Sequence, residues 1–363
     1  MSQTTASPLA PTAVVAPARS ESPLNATENE RVVIPRYGPP EVLALVREPV
    51  PMPKANEVRV KVQAAGVSFG DVAQRANLFF AGAPPLPYTP GYDIAGWVDA
   101  IGDGVTTYAI GDRVVALTMF GGYARYLCVP SDWLVKIPPS LDASHAVAVV
   151  LNYTTAWQML RRVARVERGN TILIYGASGG VGTALLDMAR HLQIAVVAAA
   201  SARWHGELRD QAALLFDERD PASAGAVRQF RLGGYDAAFD GIGGSHLWKT
   251  RSLVARHGKV VAFGISGAVK PGGKRQLTEV ARLALLLGYA RLWPRPSVEL
   301  YAMDQRIKVH RQEIIDDLRE IVALLVAGAI APRIGATFPL REAAGAHQLL
   351  ESRNNIGKVV LLP

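Results

Sequence analysis

Residues 171–182 read TILIYGASGGVG, an apolar run followed at once by a glycine-rich turn. The first five have the unbroken apolar character of a buried strand, and 181–192 carries apolar residues at helical spacing. Gly176, Gly179 and Gly182 stand at GxxGxxG spacing, a variant of the GxGxxG turn that lets the backbone approach a pyrophosphate. The phosphates would meet free N–H groups and the positive end of the helix. The stretch therefore predicts the first strand, turn and helix of a dinucleotide-binding domain.

The segments after this turn continue the alternation of strands and helices. Strands are predicted at 194–199, 235–240 and 259–263, with a helix at 245–255. This alternation indicates a parallel, doubly wound sheet in an α/β protein. A glycine-rich connection that binds nothing is the alternative, and the strand, helix and second strand around the turn argue against it.

The end of the second strand is where the ribose of a bound adenosine would lie. Sites for NAD usually place Asp or Glu there, whereas sites for NADP are neutral or basic. Here residues 198–205 read AAASARWH, with no acid before Glu207. Ser201 and Arg203 can hydrogen-bond a 2′-phosphate, which favours NADPH as the cofactor. A solvated loop cation is the alternative for Arg203.

The N-terminal part of the chain has a different pattern. Short apolar strands at 58–62, 97–101 and 113–116 are separated by Gly- and Pro-rich turns, which predicts a small, bent all-β unit. Residues 1–28 are rich in Ala, Pro, Ser and Thr, and we expect a flexible tail there. No apolar run reaches the length of about 18 residues that a membrane-spanning helix needs.

Residues 266–312 interrupt the alternation with nine basic against three acidic residues and the apolar stretch 283–287, followed by Trp293. Three interpretations stay open: a lid over the substrate mouth, a helix in an anionic lipid interface, or a helix that packs in a dimer. Beyond this insertion, helices are predicted at 312–327 and 341–352 and strands at 333–338 and 358–362.

Composition limits the class of protein. A chain of 363 residues can form two cores, since single cores stop growing near about 250–300 residues. The only cysteine, Cys128, excludes an internal disulfide and a cysteine-based zinc cage, and it fits a reducing, cytoplasmic compartment. The net charge of +8 favours anionic partners such as a phosphorylated cofactor, acyl-CoA or an anionic membrane. No basic–aromatic motif indicates a nucleic-acid partner.

Six stretches outside the glycine turn resemble the quinone oxidoreductase branch of the medium-chain dehydrogenase/reductase superfamily. They are GVSFGD (66–71), PGYDIAG (90–96), GDRV (111–114), GGYA (121–124), NYTTA (152–156) and GKVVL (357–361). The resemblance covers about residues 30–363. Within the branch it is nearest to the vesicle amine transport protein homologues, on LNY (151–153), the length of 266–312 and NNIGK (354–358).

This resemblance implies a GroES-like bent β-barrel catalytic domain over 29–155 and 331–363 and a Rossmann domain over 156–330. It also implies a homodimer paired through Rossmann-domain edges. Substrates would be small molecules, namely quinones, enones or acyl thioesters.

The resemblance also implies that no metal is bound. Zinc-dependent relatives carry an early Cys, a His-Glu pair after the Pro-Gly turn and a four-Cys lobe. Ser68 and the pair Tyr92-Asp93 stand in the first two places, and the lobe is absent. Without a Lewis acid, we expect reduction of a quinone or conjugated C=C bond, in which the acceptor itself stabilises the charge.

The cofactor contacts follow from the same resemblance. Thr155 would hold the nicotinamide amide, Gly179, Gly180 and Val181 the pyrophosphate, and Ser201 and Arg203 the 2′-phosphate. Phe263, Gly264 and Ile265 would lie along the nicotinamide, and Asn355 and Lys358 would reach the cleft from the last strand. The predicted set is completed by Asn152, Gly176, Ser178, Gly182 and Gly241.

The predicted catalytic residues are Ser68, Tyr92 and Tyr153, and the proton donor is Tyr88, Tyr92, Tyr153 or water. Relatives carry Asn in place of Ser68 and an active-site Tyr in place of Phe79, so the polar lining is thinner here. This departure keeps a second function open: a catalytically weak, nucleotide-binding adaptor that associates with anionic membranes or lipids through 266–312. No histidine is predicted to belong to the site.

Overall fold

The computed structural model describes residues 27–78, 82–270, 274–275 and 277–363. The predicted tail, apart from its last two residues, and Phe79 lie outside the described residues. In chain order, the strands are β1 (Glu28–Val33), β2 (Ala44–Pro49), β3 (Glu57–Val67), β4 (Asp93–Ile101), β5 (Arg113–Leu117), β6 (Tyr126–Pro130), β7 (Leu134–Lys136), β8 (Thr171–Tyr175), β9 (Ala195–Ala199), β10 (Leu214–Phe216), β11 (Tyr235–Asp240), β12 (Val254–Ala262), β13 (Val269–Lys270), β14 (Lys274–Arg275), β15 (Ser297–Leu300), β16 (Ile334–Pro339) and β17 (Lys358–Leu362).

The α-helices are α1 (Phe69–Arg75), α2 (Ala143–Ala148), α3 (Thr154–Trp157), α4 (Gly180–His191), α5 (His205–Leu208), α6 (Ser223–Phe230), α7 (His246–Leu253), α8 (Leu277–Leu292), α9 (Met303–Val309), α10 (Arg311–Val326) and α11 (Ala343–Ser352). The π-helical segment Val149–Tyr153 joins α2 to α3, and a second one, Gln158–Ala164, continues the same helical stretch after α3. Within the described ranges, no helix combines the length and the apolar character needed to cross a bilayer.

The first domain is built on seven strands that pair in the order β16-β17-β3-β4-β5-β7, with β6 also on β3. The register between β3 and β4 shifts after Arg59 and after Val62, and such bulges bend a sheet. The bent all-β unit is therefore confirmed. The expected closure into a barrel is wrong for the part of the chain that the structure describes, because this path stays open.

The end of the chain returns to the first domain, as the resemblance implies. Strand β17 runs antiparallel to β3, with Val359 opposite Val67, and β16 pairs with β17. The apolar side chains of these strands share one core with α11. The domain boundaries at residues 155 and 331 stay predictions.

The second domain contains the predicted doubly wound sheet, with six parallel strands in the order β10-β9-β8-β11-β12-β15. The strand order reverses between β8 and β11, and ligands of such sheets bind at this switch point, beyond the carboxyl ends of the strands. Strands β8 and β11 have the predicted bounds. The glycine turn thus lies at the switch point.

One part of the predicted organisation is wrong: residues 266–312 do not form a single insertion. Strand β15 pairs in parallel with β12 and completes the sheet, so only the part before it lies outside. Helix α8 buries Leu286 but exposes Leu285 and Leu292, and Trp293 follows it with 55% of its surface exposed. The lid, the dimer contact and the lipid interface stay predictions for this part.

A continuous apolar core joins the two sheets. It contains Tyr92 and Leu117 from the first domain and Ile172 and Leu185 from the second, with the helical stretch over 143–164 between them. Because this core fixes the carboxyl ends of the parallel strands against the first domain, the cleft at the switch point is lined by both domains.

Candidate active site

The glycine turn presents free backbone N–H groups at the start of α4. Gly176 has a positive φ of 76°, and the Ala177 amide donates to the Ala199 carbonyl at 3.0 Å, which ties the turn to the end of β9. Gly179 precedes the helix, and no side chain caps its first N–H groups. A 12-residue helix with an uncapped N-terminus attracts phosphate.

Asn152 packs closely against the start of α4. A Cβ on Gly180 would lie 2.4 Å from Nδ2 of Asn152, so no side chain fits there. Asn152 is 5% exposed, and the helical stretch that contains it holds its amide against the first residue of α4. Val181 and Gly182 follow in the first turn of the helix. The predicted residues Asn152, Gly180 and Gly182 are therefore brought together.

The last strand also reaches this turn. The Gly357 amide donates to the Ser178 carbonyl at 2.8 Å, and Gly357 forms a parallel bridge with Gly179. The Asn355 amide donates to the Gly357 carbonyl at 3.2 Å and is half-buried. Asn355 and Ser178 therefore lie at the turn, and their contact with the cofactor stays a prediction.

Lys358, by contrast, turns away from the cleft. Its Nζ lies 2.7 Å from Oδ2 of Asp93, and both side chains are almost fully buried. The Leu151 amide donates to the same carboxylate at 3.3 Å. Burial raises the pKa of Asp93, and the Lys358 charge opposes this shift. The ammonium of Lys358 is thus occupied by an interior ion pair, and we do not retain this residue as a cofactor contact.

The predicted 2′-phosphate site lies beyond the end of β9. Arg203 is exposed, and its Nη2 donates to the Arg353 carbonyl at 3.1 Å. Arg353 in turn donates to the Ser266 carbonyl at 2.8 Å, and Arg333 pairs with Glu207 nearby. The C-terminal part of the chain therefore brings two further arginines to this end of the cleft. Sequence reasoning missed them, although the stretch SRNNIGK (352–358) contains Arg353.

Phe263, Gly264 and Ile265, the strip expected to lie along the nicotinamide, directly follow β12. The Phe263 amide donates to the Asp240 carbonyl at 3.0 Å, and the Ser266 amide donates to the Gly241 carbonyl at 3.3 Å. These bonds hold Phe263, Gly264 and Ile265 beside the loop after β11. Ile265 packs against the apolar cluster of α1, so the end of this strip contacts that part of the first domain.

Thr155 lies on α3 and is 6% exposed. Its hydroxyl hydrogen-bonds Tyr301, which directly follows β15. The Tyr301 amide donates to the Ala262 carbonyl at 2.8 Å, next to the start of the strip. This chain of contacts ties α3 to the end of β12, where the resemblance expects the nicotinamide.

The three predicted catalytic side chains have different surroundings. Ser68 caps α1, and its hydroxyl donates to Oδ2 of Asp71 at 2.7 Å. The ring of Tyr92 lies against Gly70, and burial, followed by the Asp71 charge, raises the pKa of this phenol. Tyr153 donates to Oδ2 of Asp187 at 2.8 Å and is 3% exposed.

These surroundings decide which of the hydroxyl groups can still be proton donors. Burial and the Asp187 charge raise the pKa of Tyr153, and its hydroxyl already has a buried acceptor. We therefore do not retain Tyr153 as a proton donor. Tyr88 is 5% exposed, and burial raises the pKa of its phenol as well. Ser68, the least buried of the four, stays a predicted catalytic residue, and Tyr92 and water stay predicted proton donors.

One histidine that sequence reasoning set aside belongs to the cleft wall. Nδ1 of His246 lies 2.6 Å from Asp240, and Nε2 lies 2.6 Å from Glu218. Although burial alone lowers it, the hydrogen bonds to Asp240 and Glu218 raise the pKa of His246 to about 9. The other Asp240 oxygen accepts from the amides of Ile242 and Gly243 at 2.8 and 3.0 Å. The cluster therefore fixes the loop after β11.

Comparison with known proteins agrees with this arrangement. Residues 54–139 match the alcohol dehydrogenase GroES-like domain, and residues 210–361 match a family described as zinc-binding dehydrogenase. The quinone oxidoreductase of Sus scrofa is 31% identical over 90% of this chain and 95% of its own length. The chain belongs to the quinone oxidoreductase branch of the medium-chain dehydrogenase/reductase superfamily.

Two further relatives show the breadth of this branch. The synaptic vesicle membrane protein VAT-1 homolog of Rattus norvegicus is 31% identical over 86% of this chain and 78% of its own length. The structure of mycobacterial Rv1454c complexed with NADPH superposes with a TM-score of 0.78 at 29% identity, over 92% of this chain and all of that one. The predicted resemblance to the quinone oxidoreductase branch and, within it, to the vesicle amine transport protein homologues is confirmed.

The family described as zinc-binding dehydrogenase matches only residues 210–361 of this chain. In the first domain, the places of the zinc ligands hold Ser68, Tyr92 and Asp93, whose side chains contact Asp71, Gly70 and Lys358. The described ranges contain no group of three or more His, Cys, Asp or Glu side chains arranged to hold a metal ion. Zinc independence stays a prediction.

Proposed function

We propose that the chain is a zinc-independent, NADPH-dependent oxidoreductase that reduces a quinone or an α,β-unsaturated carbonyl compound. The observation that carries this proposal is the uncapped N-terminus of α4, where neither Gly179 nor Gly180 carries a side chain over the free N–H groups and Asn152 packs against Gly180. A turn of this shape at the switch point of a doubly wound sheet suits a dinucleotide. The relatives named quinone oxidoreductase and the relative solved with NADPH support the same assignment.

Different residues of the cleft would bind different parts of the cofactor. The N–H groups of Gly180, Val181 and Gly182 would hold the pyrophosphate, and Ser201 and Arg203 the 2′-phosphate. When bound, NADPH would supply the hydride. The protein aligns the two reactants and excludes water from them.

The nicotinamide end of the cleft would be held by Thr155 on one side and the strip Phe263–Ile265 on the other. These residues are half-buried or buried, and Phe263 packs against the central core. Asn152 and Asn355, which lie near the glycine turn, complete the proposed contacts.

The substrate side of the cleft is apolar. Phe69 and Ile265 pack against the same small cluster, from α1 and from the strip after β12. Such apolar surroundings suit a flat conjugated acceptor, whose own carbonyl would stabilise the developing charge. This environment supports reduction of quinones or enones over oxidation of simple alcohols, which requires an electrophile such as zinc.

The test is a fluorescence titration of the purified protein with NADPH and with NADH, followed by 1,4-benzoquinone and a simple enone. We expect tighter binding of NADPH and its oxidation on addition of an acceptor. Absence of binding by either nucleotide would contradict the proposal. Preference for NADH would contradict only the roles of Ser201 and Arg203.

A second candidate function, a catalytically weak adaptor at anionic membranes, is favoured by the exposed face of α8. Leu285, Leu292 and Trp293 are 69%, 73% and 55% exposed, and Arg282 and Arg291 flank them. Such a face suits an anionic lipid interface. Binding of NADPH without turnover of any acceptor, together with binding to phosphatidylserine vesicles, would favour this function over the first.

A further inference from the structure

Ser68 lies where the two domains meet. It directly follows β3, whose last residue, Val67, is paired with Val359 of β17. Two residues before Val359, Gly357 is hydrogen-bonded to the glycine turn. Ser68 is therefore at the edge of the first domain that is fastened to the cofactor turn. On its other side begins α1, which packs against Ile265.

Behind Ser68 lies a carboxylate that has no access to solvent. Asp71 is 0% exposed, and its Oδ2 accepts from the Ser68 hydroxyl at 2.7 Å and from the Ser68 amide at 2.8 Å. Its Oδ1 accepts from the Gly91 amide at 2.9 Å. In each of these contacts the partner donates a hydrogen bond to Asp71. Such donors stabilise the carboxylate despite its burial.

A buried chain of hydrogen bonds approaches Asp71 from the opposite side. Nε of Arg75 donates to Nδ1 of His347 at 3.3 Å, and Nε2 of His347 lies 3.1 Å from the Tyr123 hydroxyl. Burial, together with the Arg75 charge, lowers the pKa of His347 to about 3, so the imidazole is neutral. Because Arg75 can only donate, the imidazole proton must be on Nε2 and points to the Tyr123 oxygen.

This direction of donation determines the role of Tyr123. Its oxygen accepts from His347, so its own proton is free to point to Asp71, with which it interacts. The donors therefore converge on Asp71 from Ser68, Gly91 and Tyr123. Such donors lower the pKa of a carboxyl group, whereas burial raises it.

The remaining charged groups around Asp71 have opposite effects on its pKa. Asp93 raises its pKa and Lys358, the partner of Asp93, lowers it. The phenols of Tyr88 and Tyr92 face Asp71 and are neutral, since burial raises the pKa of both. With burial as the largest cause, the pKa of Asp71 rises to about 6.

We propose that the Ser68 hydroxyl is the proton donor to the reduced substrate and that Asp71 resupplies the Ser68 proton. This inference rests on the proposed function, since the hydride must come from the cofactor. In the step, the O–H bond of Ser68 breaks as a new O–H bond forms on the substrate oxyanion. At the same time, the protonated Asp71 gives its proton to Oγ of Ser68 and becomes a carboxylate. After product release, a solvent proton enters through Ser68 and restores Asp71.

Within this scheme Ser68 is the catalytic residue, because it transfers the proton to the substrate. Asp71 acts through Ser68, and Tyr123 is a positioning residue that keeps Asp71 acidic enough to release its proton. The chain from Arg75 relays no proton, because the guanidinium stays charged at neutral pH and the single N–H of the neutral imidazole is already donated to Tyr123. Its function is to fix the direction in which Tyr123 donates.

The first test does not depend on turnover. In protein labelled with ¹³C at the Asp carboxyl groups and free of cofactor, one resonance should titrate near pH 6 and be missing in Asp71→Asn. In Tyr123→Phe, which loses a donor to the carboxylate, the same resonance should titrate at higher pH. Tyr108→Phe is the matched control, because Tyr108 donates to the Leu134 carbonyl in the same domain.

The second test is the pH dependence of benzoquinone reduction at saturating NADPH. We expect kcat of the wild type to fall about tenfold per pH unit above the pKa of Asp71, as expected for a required acid. Tyr123→Phe should move this fall to higher pH, whereas Ser68→Ala should lower kcat at least about 10²-fold, the usual contribution of a general acid, and lose the pH dependence. Tyr108→Phe should match the wild type.

The outcomes separate this inference from the proposed function. NADPH binding and turnover with an unchanged pH profile in Ser68→Ala would overturn the inference and leave the oxidoreductase standing. An Asp71 resonance that titrates at the ordinary pH of an aspartate would overturn it as well. Failure of the wild type to bind NADPH would instead reject the proposed function. If Asp71→Asn does not fold, Ser68→Ala and Tyr123→Phe still decide the question.

Discussion

The amide of Gly357 donates a hydrogen bond of 2.8 Å to the carbonyl of Ser178, across the cleft between the two domains. The bond joins the residue before β17 to the turn that precedes α4. With this carbonyl of the turn occupied from the C-terminal side, the N–H groups of the turn stay directed at the phosphate site. A change at the far end of the chain should therefore alter binding at residues 176–182.

Substitution at Gly357 tests this connection. Gly357 has a φ of 79°, and a Cβ there would lie 2.3 Å from the Arg333 carbonyl. We expect Gly357→Ala to weaken NADPH binding at least about tenfold and to destabilise the protein by about 2 kcal/mol or more, as strained backbone positions do. Fluorescence titration and urea unfolding measure the two effects.

Gly328 provides the matched control. Its φ is 68°, but no heavy atom lies within 4 Å of the position of its Cβ. Gly328→Ala should cost about 1 kcal/mol of stability, the cost of a left-handed backbone alone, and leave the NADPH affinity unchanged. Equal affinities for both variants would show that the Gly357–Ser178 contact does not support the turn.

Arg203 should determine the preference for a phosphorylated cofactor. We expect Arg203→Ala to weaken NADPH binding about 10–100-fold, the value of one charge-assisted hydrogen bond, with little effect on NADH. Arg209, exposed just beyond α5, provides the control, and Arg209→Ala should bind both nucleotides as the wild type does. An equal loss for NADPH and NADH would mean that Arg203 acts through its contact with Arg353 and not on the 2′-phosphate.

The buried pair of Lys358 and Asp93 should contribute to stability and not to binding. Lys358→Met leaves Asp93 uncompensated in the interior, which costs about 3–5 kcal/mol. In contrast, Lys136→Met breaks the exposed pair with Asp112 and should cost less than about 1 kcal/mol. Urea unfolding checks both. Loss of NADPH affinity in Lys358→Met without loss of stability would restore the cofactor role expected from sequence.

The sequence predicts the elements with long apolar runs between clear turns. Strands β8, β11 and β17 have the predicted bounds, because in each strand every residue, or every residue but one, is buried. Strand β15 was missed because it has only four residues between prolines and a short helix, which is too few for a period of two to be recognised.

The sequence predicts site residues less well where their partners are distant in the chain. Lys358 pairs with Asp93, 265 residues away, and no local pattern reveals this contact. The hydroxyl of Tyr153 could face either the cleft or α4, and only packing decides that it meets Asp187. His246 was set aside because its partners belong to two different strand ends: Asp240 is the last residue of β11, and Glu218 follows β10. The glycine turn was found because its chemistry is contained in seven consecutive residues.

His246 should make the stability of the protein depend on pH above neutrality. Its pKa is raised from 6.5 to about 9 in the folded protein, so its charged form stabilises the fold fully below pH 6.5. This contribution, about 3 kcal/mol for a shift of this size, is lost as the pH rises through 9. Urea unfolding of the wild type between pH 6.5 and 9.5 should show this loss of stability, and urea unfolding of His246→Gln should not.

His257→Gln, at an exposed position, is the control and should follow the wild type. Parallel curves for wild type and His246→Gln would mean that His246 is neutral between its two carboxylates, and the loop after β11 would then be held by Asp240 alone.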